Sequence, residues 1–217
     1  MSDTIKRALA VCCIMFTLVR AAHPQDRKIN YGVAVGATHP VYVLSNISSG
    51  VSRSASSTYN GQLSSWVSWS PTPYAGLEAG ASVVGLGAKL TQSEFGSRDV
   101  IQHTYWLQFP VNIIGKLPLR DSSNFFVKAG GYVGVGLFGS NNVPNDYTGS
   151  ATQDFSFGER ETQQPVDIGW TLNMGYKLKS GYLISVGYQQ GISDIAPSQA
   201  AYEQRNRAYT LSIGYEF

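Results

Sequence analysis

Hydrophobic and polar residues alternate with a period of two along most of this chain, and in several stretches the alternation is complete. From Val166 to Leu178 one parity reads Val166, Ile168, Trp170, Leu172, Met174, Tyr176 and Leu178; the other reads Asp167, Gly169, Thr171, Asn173, Gly175 and Lys177. From Phe125 to Leu137, Phe125, Val127, Val133, Val135 and Leu137 oppose Lys128, Gly130, Tyr132, Gly134 and Gly136. Tyr105, Leu107, Phe109, Val111 and Ile113 likewise oppose Thr104, Trp106, Gln108, Pro110 and Asn112, and shorter runs recur around Tyr31–Val35, Leu63–Trp69, Tyr182–Tyr188 and Tyr209–Phe217. Successive side chains of a strand point to opposite faces, so this period predicts strands. With a less regular stretch from Leu77 to Leu90, the pattern predicts eight strands of roughly ten residues, the length that crosses a bilayer when tilted. In that stretch Glu78, Gly80 and Ser82 are followed on the same parity by Val84 and Leu86, a drift that predicts a bulge.

The connections alternate in length. Pro71–Ala75, Leu117–Ser123 and the Ser180-Gly181 turn are short, whereas 45–60, 93–99, 140–164 and 193–206 are longer. In an up-and-down barrel, alternate connections share one side, so this order predicts short turns at one end and long loops at the other. A soluble antiparallel barrel or sandwich also alternates, with its polar face in water. Here the polar parity is rich in Gly, Ser, Thr and Asn and poor in Lys and Glu, an odd composition for a solvated face. An enclosed polar interior with the apolar parity in lipid fits better, because closure leaves no unpaired sheet edge in hydrocarbon. The fold class expected is therefore all-β: an eight-stranded antiparallel up-and-down transmembrane β-barrel.

Composition sharpens this picture. Only 14% of the 217 residues are charged and 23 are Gly, and beyond the first two dozen positions no apolar run approaches the roughly 20 residues of a membrane helix. Lys6 and Arg7 followed by the apolar Ala8–Val19 read as a signal peptide over residues 1–22, cleaved near Ala21 to leave residues 23–217 as the barrel domain. Both cysteines, Cys12 and Cys13, lie in that leader, so the mature chain has neither a disulfide nor a thiolate metal site. The 16 basic and 14 acidic residues become 13 of each once Lys6, Arg7, Arg20 and Asp3 are removed. No basic surplus remains to argue for nucleic acid.

The stretches "YWLQFPVNIIGKL", "FFVKAGGYVGVGLFG", "DIGWTLNMGYKL", "ISVGYQQGISDI" and "YTLSIGYEF" occur in an order that resembles the PorT-like outer-membrane β-barrel family of Bacteroidetes, with "YGVAVGA" agreeing in the N-terminal half. The resemblance implies an eight-stranded barrel in the outer membrane of a Gram-negative bacterium. Some relatives serve a secretion and gliding apparatus. It also implies that the terminal aromatic is read by the barrel-assembly machinery, a role that Phe217, with Tyr215, Ile213 and Leu211, fits.

Candidate chemistry is thin. A lipid hydrolase needs Ser, His and an acid within hydrogen-bond reach, and the histidines outside the leader are His23, His39 and His103, each read as interfacial. Asp146, Asp154, Glu159 and Glu161 make the 140–164 loop acidic, with a spacing that matches no calcium loop. No cofactor or metal is expected. On the polar parity, Glu78, Lys128, Lys177 and Glu216 fall near the short-turn end, where burial favours pairing across the lumen or the lining of a passage. The function expected is a non-enzymatic barrel that binds or assembles with another component, through its loops or wall, in a secretion or motility complex; the alternatives are a small pore or transporter and, third, a lipid-modifying enzyme.

Overall fold

The computed structural model describes residues 29–46, 52–90, 100–120, 122–143, 151–153 and 155–217. The expected signal peptide with Lys6, Arg7, Cys12 and Cys13, the start of the expected barrel domain with His23, and the loop acids Asp146 and Asp154 lie outside the described residues. In chain order the strands are β1 (Ile29–Asn46), β2 (Ser52–Ser54), β3 (Asn60–Trp69), β4 (Ala75–Leu90), β5 (Val100–Pro118), β6 (Asn124–Val143), β7 (Ala151–Gln153), β8 (Val166–Lys177), β9 (Tyr182–Gly191) and β10 (Tyr202–Glu216). Eight of them form an antiparallel ring in the order β1, β3, β4, β5, β6, β8, β9, β10, and β10 closes onto β1 from Gly32↔Glu216 to Asn46↔Tyr202. The two short strands extend the ring at the loop end. β2 pairs with β1 at Val43–Ser45 beyond the reach of β3, and β7 pairs with β6 at Asn141–Val143 beyond the reach of β8.

Across the lipid band the expected parity of the strands is found, with its apolar side outward, and only the loop-end half of β4 departs from it. Val111 and Ile113 are 61% and 67% exposed, while Asn112 between them is 4% exposed. A soluble barrel would show the reverse, so the outer wall is built for lipid. Aromatic residues edge this band at both ends. Phe125–Tyr176, Tyr182–Tyr215 and Tyr215–Phe217 meet at ring distances of 4.8, 5.1 and 4.9 Å near the short turns. Trp170–Tyr188 and Tyr188–Tyr209 meet at 5.3 and 5.2 Å toward the loops. Such girdles sit at the two membrane–water interfaces.

Two expectations are corrected. Strands of about ten residues were expected, yet β1, β5, β6 and β10 run to 18, 19, 20 and 15 residues, into segments read as loops. Above the lipid band the outward side chains need not be apolar, so the hydrophobic alternation fades while backbone pairing continues. The drift in Leu77–Leu90 is not a bulge: β4 keeps one register with β3 and with β5 throughout. Its even-numbered residues stay inward, and the interior itself changes from polar at Glu78 to apolar at Val84, Leu86, Ala88 and Leu90. The register shift lies instead between Tyr105 and Trp106, opposite β6.

The three short turns close locally. Thr72 Oγ1 accepts the backbone N–H groups of Tyr74 and Ala75, and Gly181 takes a φ of +92°, open at low cost only to glycine. Short turns face the periplasm in such barrels and long loops face outward.

Candidate functional site: the lumen and its mouth

The inward parity divides the barrel interior into three levels. At the turn end, Ala34, Trp66, Ile114, Phe126 and Leu183 form a small apolar cluster, and Trp66 lies so close to Gly32 that a Cβ there would sit 2.1 Å from the indole. Lys128 of β6 joins Glu78 of β4 at 2.5 Å over the intervening β5. Glu78 also accepts a hydrogen bond from Asn112 Nδ2 at 3.2 Å, and Asn112 Oδ1 accepts one from Thr171 at 2.9 Å. The ammonium stands 4.7 Å from the Trp66 ring and 5.1 Å from that of Phe126, so the charge is neutralised and held against two π-faces. Lys177 of β8 pairs with Glu216 of β10. The four expected charges are therefore two ion pairs, each bridging one strand. Lys116, not singled out in the sequence, adds a third cation at this end and donates to Ser70 Oγ at 2.7 Å.

Above this floor lies a cavity of about 110 Å³, whose lining includes the polar residues Gln62, Ser82, Gln108, Asn173, Gln189 and Ser212. Gln62 Nε2 donates to Ser212 Oγ at 2.6 Å over β1.

The mouth is filled. Tyr42, Leu44, Val84, Leu86, Ala88, Leu90, Trp106, Ile195 and Ala208 form the larger apolar core, and Trp106 and Tyr42 are fully buried. Phe157 from the β7–β8 connection packs edge-on against Trp106 at 5.0 Å and against Phe155 at 5.0 Å. Gly136 on β6 leaves the room it needs, since a Cβ there would lie 2.5 Å from the Phe157 ring. Residues 155–165 and 192–201 are also bonded to each other: Gln164 N–H donates to Ile195 O, and Ser198 N–H and Oγ donate to Glu159 O. Asp167 anchors the second segment. Its buried carboxylate accepts from Tyr132 at 2.9 Å, Asn206 at 2.8 Å and Ser193 at 2.9 Å. Asp167 was legible as an inward carboxylate, but its partners lie 26 to 39 residues away and no local pattern joins them.

The remaining candidates are dispersed. His39 lies against Tyr59 at 4.7 Å, and His103 Nδ1 meets Asn60 Oδ1 at 2.9 Å. Glu161 accepts from Ser156 at 2.6 Å, and Glu159 is exposed. Leu211 and Ile213 face outward on β10, and the Phe217 N–H donates to Tyr31 O at 2.7 Å, so the chain end is tied into the ring.

A closed ring with a lipid-facing apolar wall, two aromatic girdles and a polar lumen defines an outer-membrane β-barrel. The family model for the outer membrane protein beta-barrel domain matches residues 20–196. The chain belongs to that family, and its place is the outer membrane. Among solved structures, Neisserial surface protein A is 10% identical, with 86% of this chain and 97% of that one covered at a TM-score of 0.45. OprG of Pseudomonas aeruginosa is 13% identical, covering 87% and 96% at 0.45. Ail of Yersinia pestis is 8% identical, covering 88% and 100% at 0.43. No curated protein matches the sequence.

Proposed function

We propose that this protein is a non-enzymatic, non-conducting barrel that presents its loop end to another protein. The filled interior carries this reading: the mouth is packed by the core around Tyr42, Trp106 and Phe157, and the turn end by Trp66, Phe126 and two ion pairs. Such a lumen supports a role for the outer surfaces over a role for the bore. The histidines add support, since His39 rests on a tyrosine ring and His103 on an asparagine. The ordered resemblance to PorT-like barrels favours a partner in a secretion or motility assembly.

The test is photo-crosslinking in intact outer membranes, with a photo-reactive phenylalanine analogue at Tyr59 or at Tyr74. These positions are 78% and 65% exposed at the loop end and the turn end, respectively. A reproducible protein adduct from Tyr59, absent from Tyr74, is the expected result. Silence at Tyr59, with a steady current through the purified protein, makes the pore the better reading.

A further inference from the structure

The outward parity of β10 changes character at one level. Tyr209, Leu211 and Ile213 are exposed and face lipid, whereas Arg207, Arg205 and Glu203 continue the same face above them. The change falls at the loop-end girdle of Trp170, Tyr188 and Tyr209, the depth of the outer-leaflet head groups.

Arg207 is held there by one atom. Its Nε donates to Gln190 Oε1 at 2.8 Å, and Tyr188 Oη donates to the same oxygen at 3.0 Å. The Gln190 amide is fixed in turn, because its Nε2 donates to Gly191 O at 2.9 Å and Asn206 O at 3.3 Å. The two terminal nitrogens of Arg207 have no hydrogen bond among the described residues. A guanidinium positioned through Nε keeps a planar fork free for a bidentate anion.

Arg205 stands two residues further along the same face, with a buried Nε that has no hydrogen-bond partner among the described residues. Its other contact is an ion pair with Glu203 at 2.9 Å, both side chains being 40% exposed, an arrangement that contributes little in water. Asp194, on the neighbouring segment, is occupied by the backbone N–H groups of Ala196 and Gln204. Val41 and Val43, the cross-strand partners of Arg207 and Arg205 on β1, give the arginines an apolar border.

We propose that this patch binds the phosphate of an outer-leaflet glycolipid, with Arg207 as the main ligand, Arg205 as its neighbour and the Tyr188–Tyr209 shelf against the sugar and upper acyl chains. A lipid is the occupant because the fork opens at the edge of the apolar wall, where a lipid phosphate is held by its own chains.

The experiment uses the full barrel in detergent with three probes: a phosphorylated glucosamine-disaccharide lipid, its dephosphorylated form and inorganic phosphate. Binding is read by native mass spectrometry and titration calorimetry. The phosphorylated lipid should bind about tenfold tighter than the dephosphorylated one, a difference of about 1.4 kcal/mol. Arg207→Gln should remove most of that difference, with Arg205→Gln/Arg207→Gln removing it fully, while Glu203→Gln should tighten binding. Variants are compared only where the gel band still shifts on boiling, which marks a closed barrel, and Arg207→Lys serves as a milder change that keeps charge without the fork. Equal binding of the two lipids, or a preference unchanged in Arg207→Gln, overturns the proposal. Displacement by inorganic phosphate at the lipid's own concentration assigns the patch to a soluble anion and also overturns it.

Discussion

Glu78 and Lys128 illustrate why charges persist inside a narrow barrel. Their side chains are 7% and 13% exposed, so each would be costly alone, and removing one partner of a buried pair typically costs about 3–5 kcal/mol. Lys128→Met should destabilise the barrel to urea by that order, because among the described residues Glu78 keeps only the Asn112 hydrogen bond. Glu78→Gln should cost less, since the Trp66 and Phe126 rings still face the ammonium. The double variant Glu78→Gln/Lys128→Met should recover much of the loss; simple addition of the two losses would show that the residues act independently. The sequence places these charges on one parity near one end, and alternation suffices for that. It leaves open that Lys128 meets Glu78 while Lys177 meets Glu216, because each contact skips a strand and depends on the stagger of the closed ring.

At the scale of elements, β10 joins the chain's end to its beginning. It pairs with β1 over fifteen positions from Gly32 to Asn46, so the ring closes only when the last strand is in place. Phe217 is tied to Tyr31 and packs on Tyr215, whereas Phe125 is a similarly exposed girdle ring on Tyr176. If the terminal aromatic is read during assembly, Phe217→Ser should lower the yield of folded barrel several-fold more than Phe125→Ser, as measured by the fraction of heat-shifted protein in outer membranes. Equal losses would make Phe217 a lipid anchor and nothing more. The loop-end extensions of β1, β5, β6 and β10 were less legible, because their outward residues, such as Ser45, His103, Ser140 and Arg205, answer to water instead of hydrocarbon.

For the whole molecule, the levels of the interior combine into a lumen largely filled by side chains. Eight strands enclose a lumen that side chains can fill, and here Trp66, Phe126, Tyr132 and Trp106 do so, leaving a cavity of about 110 Å³ between floor and mouth. The purified protein should show no steady conductance in planar bilayers. A reproducible open channel, blocked by Gly134→Leu, which places bulk within reach of Gln108, would show that the mouth yields and that the barrel conducts.

The alternation itself was enough to determine the ring of strands, the wall that meets lipid, the polar lining and the side on which turns are short. These are properties of single strands and of connection length, and a period of two exposes them to any solvent that rewards apolar surface. Tertiary structure alone decided how the lumen is filled. Asp167 gathers Tyr132, Ser193 and Asn206; Phe157 finds the space beside Gly136; Val84 to Leu90 become the core of the mouth and not the site of a bulge. Each of these contacts joins residues remote in sequence, and closure with its particular register brings them to the same height inside the barrel.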